Sequence, residues 1–307
     1  MNSTAAPAAR ADRDVLLGLS FALLAAIGFS AKAILVKLAY REGVDAVTLL
    51  ALRMAFAAPF FFATALWSRR RHGAPIRPRD RLLIVALGLT GYYLSSYLDF
   101  LGLQYISAGL ERLILFLYPT ITVLLTAALY RRRIGARVRG AMALCYAGIL
   151  LVFLHDSGSA PEHVVLGALL VFCGTLAYSV YLVGAGHAIA RIGAVRFTAY
   201  AMIVASAASL LQFAATRAPA ALQVTPRALG LALAMAILST VLPVFLLSLA
   251  IRRIGAPRAS LVGSVGPVST IFLAWLFLQE PVTLLQVAGS GLVLVGVLLI
   301  SRAPAEA

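Results

Sequence analysis

The chain carries one pattern twice, about 148 residues apart, and a duplicated unit constrains the fold more than any single motif. The stretch from Ile106-Ser107-Ala108-Gly109 to Tyr118-Pro119 aligns with that from Ile254-Gly255-Ala256-Pro257 to Gly266-Pro267, and Gly148 aligns with Gly296. Nearer the start of each half, Leu17-Gly18 and Phe29-Ser30 match Leu166-Gly167 and Tyr178-Ser179 at an offset of 149. Self-similarity at a fixed period is the signature of a repeat architecture.

Composition says where the repeats reside. Of 307 residues, 62% are hydrophobic and 12% charged, and mean hydropathy is +0.96. Soluble domains average about 25% charged residues. A helix that crosses a bilayer needs about 20 apolar residues. Ten segments qualify: 15–38, 46–67, 82–103, 106–129, 137–154, 164–184, 195–215, 227–249, 257–278 and 283–301. The sequence therefore predicts an all-α integral membrane protein with one five-helix unit over 15–154 and a second over 164–301. Short tails, 1–14 and 302–307, flank them. The first segment is too long for a signal-peptide core and no small-residue cleavage site follows, so it is read as retained. Cys145 and Cys173 fall inside spans and offer neither a disulfide framework nor metal spacing.

The formal charge of +15 is a topology signal rather than a nucleic-acid patch. With both termini cytoplasmic, nineteen of the 26 Lys and Arg lie on the inside, three (Arg41, Arg217 and Arg227) on the outside, and Lys32, Lys37, Arg53 and Arg112 within spans. Short loops rich in Lys and Arg stay in the cytoplasm. Five spans per unit is an odd number, so the second unit enters the membrane upside down. The loops after spans two and four hold eleven basic residues and their counterparts in the second half hold two, as opposite orientations require. Inverted repeats of this kind build secondary transporters.

With these residues in view, the chain resembles the drug/metabolite transporter superfamily, in its ten-span EamA branch. The resemblance rests on Gly18 to Ser30, on the Pro119 and Pro267 segments, and on Gln279-Glu280-Pro281 followed by Gly289, Gly291 and Gly296. Arg131-Arg132-Arg133 stands where the first repeat would carry an acidic turn. Leu98-Asp99-Phe100 through Leu110-Glu111-Arg112 looks like a subgroup signature. The resemblance implies a permease for small organic metabolites in the cell inner membrane, many such carriers being exporters.

Charges at membrane depth are costly and default to functional hypotheses. Lys32, Arg53, Asp99 and Glu111 are each placed roughly 6–11 Å below the outer surface by a rise of about 1.5 Å per residue, and Arg112 adjoins them. Their counterparts in the second repeat (Tyr181, Met202, Leu247, Ala259 and Ser260) are uncharged. Two readings stand side by side: a buried ion-pair network that locks helices together, or the outer part of a substrate or proton pathway. Asp99 and Glu111 are the acids of the layer and the candidates for proton coupling. An excess of basic groups there favours an anionic or zwitterionic solute. Lys32 and Lys37 differ by about 140° around a helix and cannot serve one site. Tyr92, Ser96 and Asp99 form a polar stripe that suits one wall of a cavity or helix packing. Pro119 and Pro267 occupy equivalent interior positions, where each should kink its helix and mark moving parts.

His155, His163 and His187 form no ligand spacing, and no nucleophile triad or phosphate-binding loop occurs, so neither cofactor nor metal is expected. The leading expectation is a non-enzymatic carrier working by alternating access, as monomer or homodimer, in contact with lipid and not with nucleic acid. The alternatives are a passive facilitator with the charge layer as a selectivity ring, and a membrane enzyme acting on lipids.

Overall fold

The computed structural model describes residues 5–72, 76–131, 133–158 and 163–301, so part of the expected N-terminal tail (1–4), the C-terminal tail 302–307 and Arg132 lie outside the described residues. The described residues are helical, with no strand among them. Eight helices are long and apolar enough to cross a membrane: α1 (Asp14–Arg41, its helix beginning at Ala5), α2 (Ala46–Arg70), α3 (Pro78–Gly102), α4 (Ala108–Leu129), α5 (Ala136–Leu154), α6 (Val164–Gly186), α7 (Ala194–Thr216) and α8 (Pro226–Gly255). Two shorter apolar helices, α9 (Gly266–Leu278) and α10 (Leu284–Ile300), complete the bundle. Large apolar side chains such as Phe62, Leu66, Leu211, Phe272 and Leu284 are exposed. A surface this apolar is tolerable only against lipid.

Helix packing is reciprocal between the halves. The helix α1 lies along α8 and α9, and its counterpart α6 lies along α3 and α4; α2 packs on α7, and α5 on α10. The same relation holds at single residues. A Cβ on Gly18 would strike Arg253 and Ile254, and one on Gly167 would strike Tyr105 and Ile106, the equivalent pair. Gly148 faces the backbone of Gly289, while Gly296 faces that of Ala141, Gly289's own counterpart. Glycine is required at these points because the neighbouring helix comes so close that a side chain would intrude.

The prolines do more than kink their helices. Proline cannot donate to the carbonyl four residues back and clashes with it, so the chain tightens to a three-residue turn ahead of each ring. Leu117 N–H donates to Ile114 C=O at 3.0 Å, and Val265 N–H donates to Val262 C=O at 3.1 Å. New helical runs begin at Tyr118 and Gly266, with Pro119 and Pro267 in their first turns. In the second half there is also a break at Gly255 (φ 79°), the equivalent of the capping residue Ser107. A second matched interruption appears one helix earlier: π-helical turns span Leu89–Leu94 in α3 and Ile237–Val241 in α8. Such bulges recur at functional positions.

Candidate functional site

The charge layer assembles around Lys32. Its Nζ, on α1, lies 2.5 Å from Asp99 Oδ2 on α3 and 3.1 Å from Glu111 Oε1 on α4. One ammonium thus holds two carboxylates within about 6 Å of each other. Asp99 is 2% exposed and Glu111 fully buried, whereas Lys32 keeps 17% of its side chain accessible. Every ion of this triad comes from the first repeat. It ties α1 to α3 and α4 near the Phe116–Leu117 break, and carries net charge −1 when both acids are ionised. Glu111 Oε1 has the Lys32 ion pair but no aligned hydrogen bond, and Asp99 Oδ1 and Glu111 Oε2 are buried without one, so the triad is incompletely satisfied.

The two arginines of the layer stand beside the triad without joining it. Arg53 donates through Nε to Thr240 Oγ1 at 2.9 Å, inside the π-turn of α8, and stacks on Phe100. Arg112 stacks on Phe116 and lies against Gly266, where a Cβ would collide with the guanidinium. Arg53 Nη1 and Arg112 Nε are buried and lack acceptors. Asp99 lies within electrostatic range of Lys32, Arg53 and Arg112. Lys37 turns to Glu280, 3.4 Å away at the α9–α10 connection, and so serves a different acid from Lys32.

Two residues of the polar stripe on α3 meet different helices. Asp99 faces Lys32 on α1, but the Tyr92 hydroxyl lies 3.0 Å from that of Tyr181 on α6. Tyr92 lies within the π-turn Leu89–Leu94, which alters the helical phase between it and both Asp99 and the half-buried Ser96. Tyr92 instead starts an aromatic cluster through Tyr181 and Tyr178 to Tyr118, with ring centroids 5.0–5.8 Å apart. Where the first repeat places Lys32 and its acids, the second places Tyr181 and its rings.

Two further residues went unassigned in sequence. Ser30 Oγ donates to Gly266 C=O at 2.9 Å, and its counterpart Ser179 donates to Tyr118 C=O at 3.3 Å. These carbonyls belong to the residues immediately before Pro267 and Pro119. The available signal was that both serines sit at repeat landmarks. His163 packs edge-on to Tyr105, and the side chains of His155 and His187 lie outside the described residues. Among the described residues, no three His, Cys, Asp or Glu side chains gather as metal ligands.

A multi-pass helical bundle with duplicated halves, paired helix breaks and a buried cluster of charge defines a membrane transporter. The comparisons agree. The EamA-like transporter family model matches residues 16–154 and again 165–302, and the chain belongs to that family. It is 32% identical over 285 residues to the uncharacterized transporter YcbK of Bacillus subtilis, covering 91% of each chain. It is 26% identical to the uncharacterized transporter sll1319 of Synechocystis, covering 93% of each. A solved crystal structure superposes with TM-score 0.62 over 94% of this chain and 98% of its own at 18% identity, a likeness of fold.

Proposed function

We propose that this protein is a secondary carrier that exports small organic metabolites across the cell inner membrane by alternating access. In this reading ten helices span the bilayer, α9 and α10 included, in two inverted five-helix units with both termini in the cytoplasm. The observation that carries it is the reciprocal packing of the halves, with helix breaks before Pro119 and Pro267 at equivalent places. A pair of related units with matched discontinuities can rock about a site between them. The asymmetric triad supplies the coupling. Asp99 and Glu111 share one ammonium, and a proton arriving on either would release Lys32 from one partner. Unpartnered N–H groups on Arg53 and Arg112 favour a solute with a carboxylate or phosphate.

Metabolite profiling of a deletion strain against an overexpressing one identifies the solute, and vesicle assays then test coupling. Asp99→Asn and Glu111→Gln should abolish gradient-driven transport while the protein still inserts. Full activity in both variants would overturn the coupling role. Reporter fusions after Arg71 and Arg132 test the orientation, and a periplasmic signal at either would overturn it.

A further inference from the structure

Two ion pairs sit at equivalent places in the two repeats with their charges exchanged. Just beyond α1, Glu42 meets Arg227 at the first turn of α8, with Oε1–Nη1 at 3.2 Å. Near the end of the helical run that begins α6, Arg191 meets Asp80 at the first turn of α3, with Nη2–Oδ1 at 2.5 Å. Adding the repeat offset of 149 to Glu42 gives Arg191, and subtracting 148 from Arg227 gives the neighbour of Asp80. One pair therefore joins α1 to α8 and the other joins α6 to α3, the same contact in each half. Their polarity is opposite, yet in both the first repeat supplies the acid and the second the arginine.

The pairs sit at opposite ends of the bundle. The helix α2 runs from Ala46, beside Glu42, to Arg70, shortly before Asp80. At about 1.5 Å per residue its 25 residues separate those ends by about 37 Å. In each pair the acid is sheltered (Glu42 19% and Asp80 9% exposed) and the arginine reaches into solvent (73% and 51%). Glu42 also accepts from Thr225 Oγ1 at 3.0 Å, so it is held in place whether or not the arginine stays. An ion pair with one exposed partner is weak. Weakness suits a contact that must open and close in every cycle.

We propose that Glu42–Arg227 and Asp80–Arg191 are the two gate latches of the carrier, one at each mouth, and that release of one at a time sets which side the central charge layer faces. The proposal rests on the alternating-access reading. In both latches the first repeat supplies the acid and the second the arginine, so each one joins the two repeats.

The test needs no known solute. In full-length protein with Cys145 and Cys173 replaced by alanine, Ser96→Cys beside Asp99 reports access to the layer. A membrane-impermeant maleimide is applied to vesicles of each orientation. Arg227→Gln should raise labelling from the Glu42 mouth about fivefold, the population shift expected for a latch of about 1 kcal/mol, with no rise from the other side. Arg191→Gln should do the reverse. The exchanged pair Glu42→Arg with Arg227→Glu should restore the parent pattern. Because both arginines are exposed, these variants keep the fold, and melting temperatures verify it. Labelling that is unchanged, or that rises equally on both sides, in a folded variant overturns the latch proposal. Free labelling from both sides in the parent protein would instead overturn the carrier reading.

Discussion

The hydroxyl of Ser30 donates to the carbonyl of Gly266 across the α1–α9 contact at 2.9 Å, and Ser179 repeats that bond to Tyr118 across α6 and α4. Each serine also bonds its own helix four residues back, at Ala26 and Thr175. Both thus bridge a straight helix to the carbonyl that precedes a proline. A buried hydroxyl removed from such a site costs about 1 kcal/mol net. Ser30→Ala and Ser179→Ala should each lower stability by about that amount, read as thermal unfolding in detergent. If the bonds also set the position of the half-helices, both variants should lose transport rate more than they lose stability.

Lys32 is predicted to be the most costly residue of the triad to lose. Breaking a buried ion pair by removing one partner costs about 3–5 kcal/mol, because the remaining charges have no counter-ion. Lys32→Met leaves Asp99 and Glu111 together without their ammonium. It should destabilise far more than Asp99→Asn, which leaves Glu111 to the lysine. Adding Asp99→Asn and Glu111→Gln to Lys32→Met should recover most of the loss, a non-additivity measurable in a mutant cycle.

Two glycines of α10 should respond in opposite ways to one substitution. A Cβ on Gly289 would run into the Gly148 carbonyl, which is backbone and cannot yield. Gly291, two residues on, has nothing within 4 Å of that position. Gly289→Ala should separate α5 from α10 and lower the melting temperature. Gly291→Ala should raise it by the equivalent of about 0.5–1 kcal/mol, from the reduced conformational entropy of the unfolded chain.

Asp45 gives a pH test outside the membrane spans. Its carboxylate caps α2, accepting from Val47 N–H at 3.0 Å and Thr48 N–H at 3.3 Å, and pairs with Arg217. Partial burial pushes its pKa up, but the bonds from Thr48 and Arg217 outweigh that and hold it below the ordinary carboxylate value of 3.8. A depressed folded pKa contributes stability that is present above the unfolded value and lost as pH falls through the folded one. Asp45→Asn should therefore melt below the parent at pH 7, and the gap should shrink as pH falls below about 4. A gap that stays constant down to pH 3 would remove the charge from the explanation.

The duplication, the apolar segments and the prolines were legible in sequence because each follows from local rules. Helix length is set by composition, proline breaks a helix through its own covalent geometry, and a repeat is visible to simple comparison. The same reading placed Lys32, Asp99 and Glu111 at one depth from rise per residue alone. It could not say which way they faced. Helical phase fixes direction only relative to neighbours on the same helix, and the π-turn in α3 alters even that phase.

Pairings across the bundle were out of reach for a related reason. Ser30 and Gly266 are 236 residues apart, and no local rule selects one carbonyl for a hydroxyl over so long a separation. Lys32 could have met Glu280 and Lys37 the triad; a difference of five positions on one helix sent them to different acids. The sequence by itself determined that this chain is a duplicated helical membrane protein with one charged layer, since hydrophobicity, proline chemistry and self-similarity act within a segment. Only the tertiary structure decided that one ammonium serves two acids, that paired serines bond the broken helices, and that a cross-repeat ion pair sits at each end. Those contacts exist because helices distant in sequence pack side by side, and close packing, not local propensity, chooses the partners.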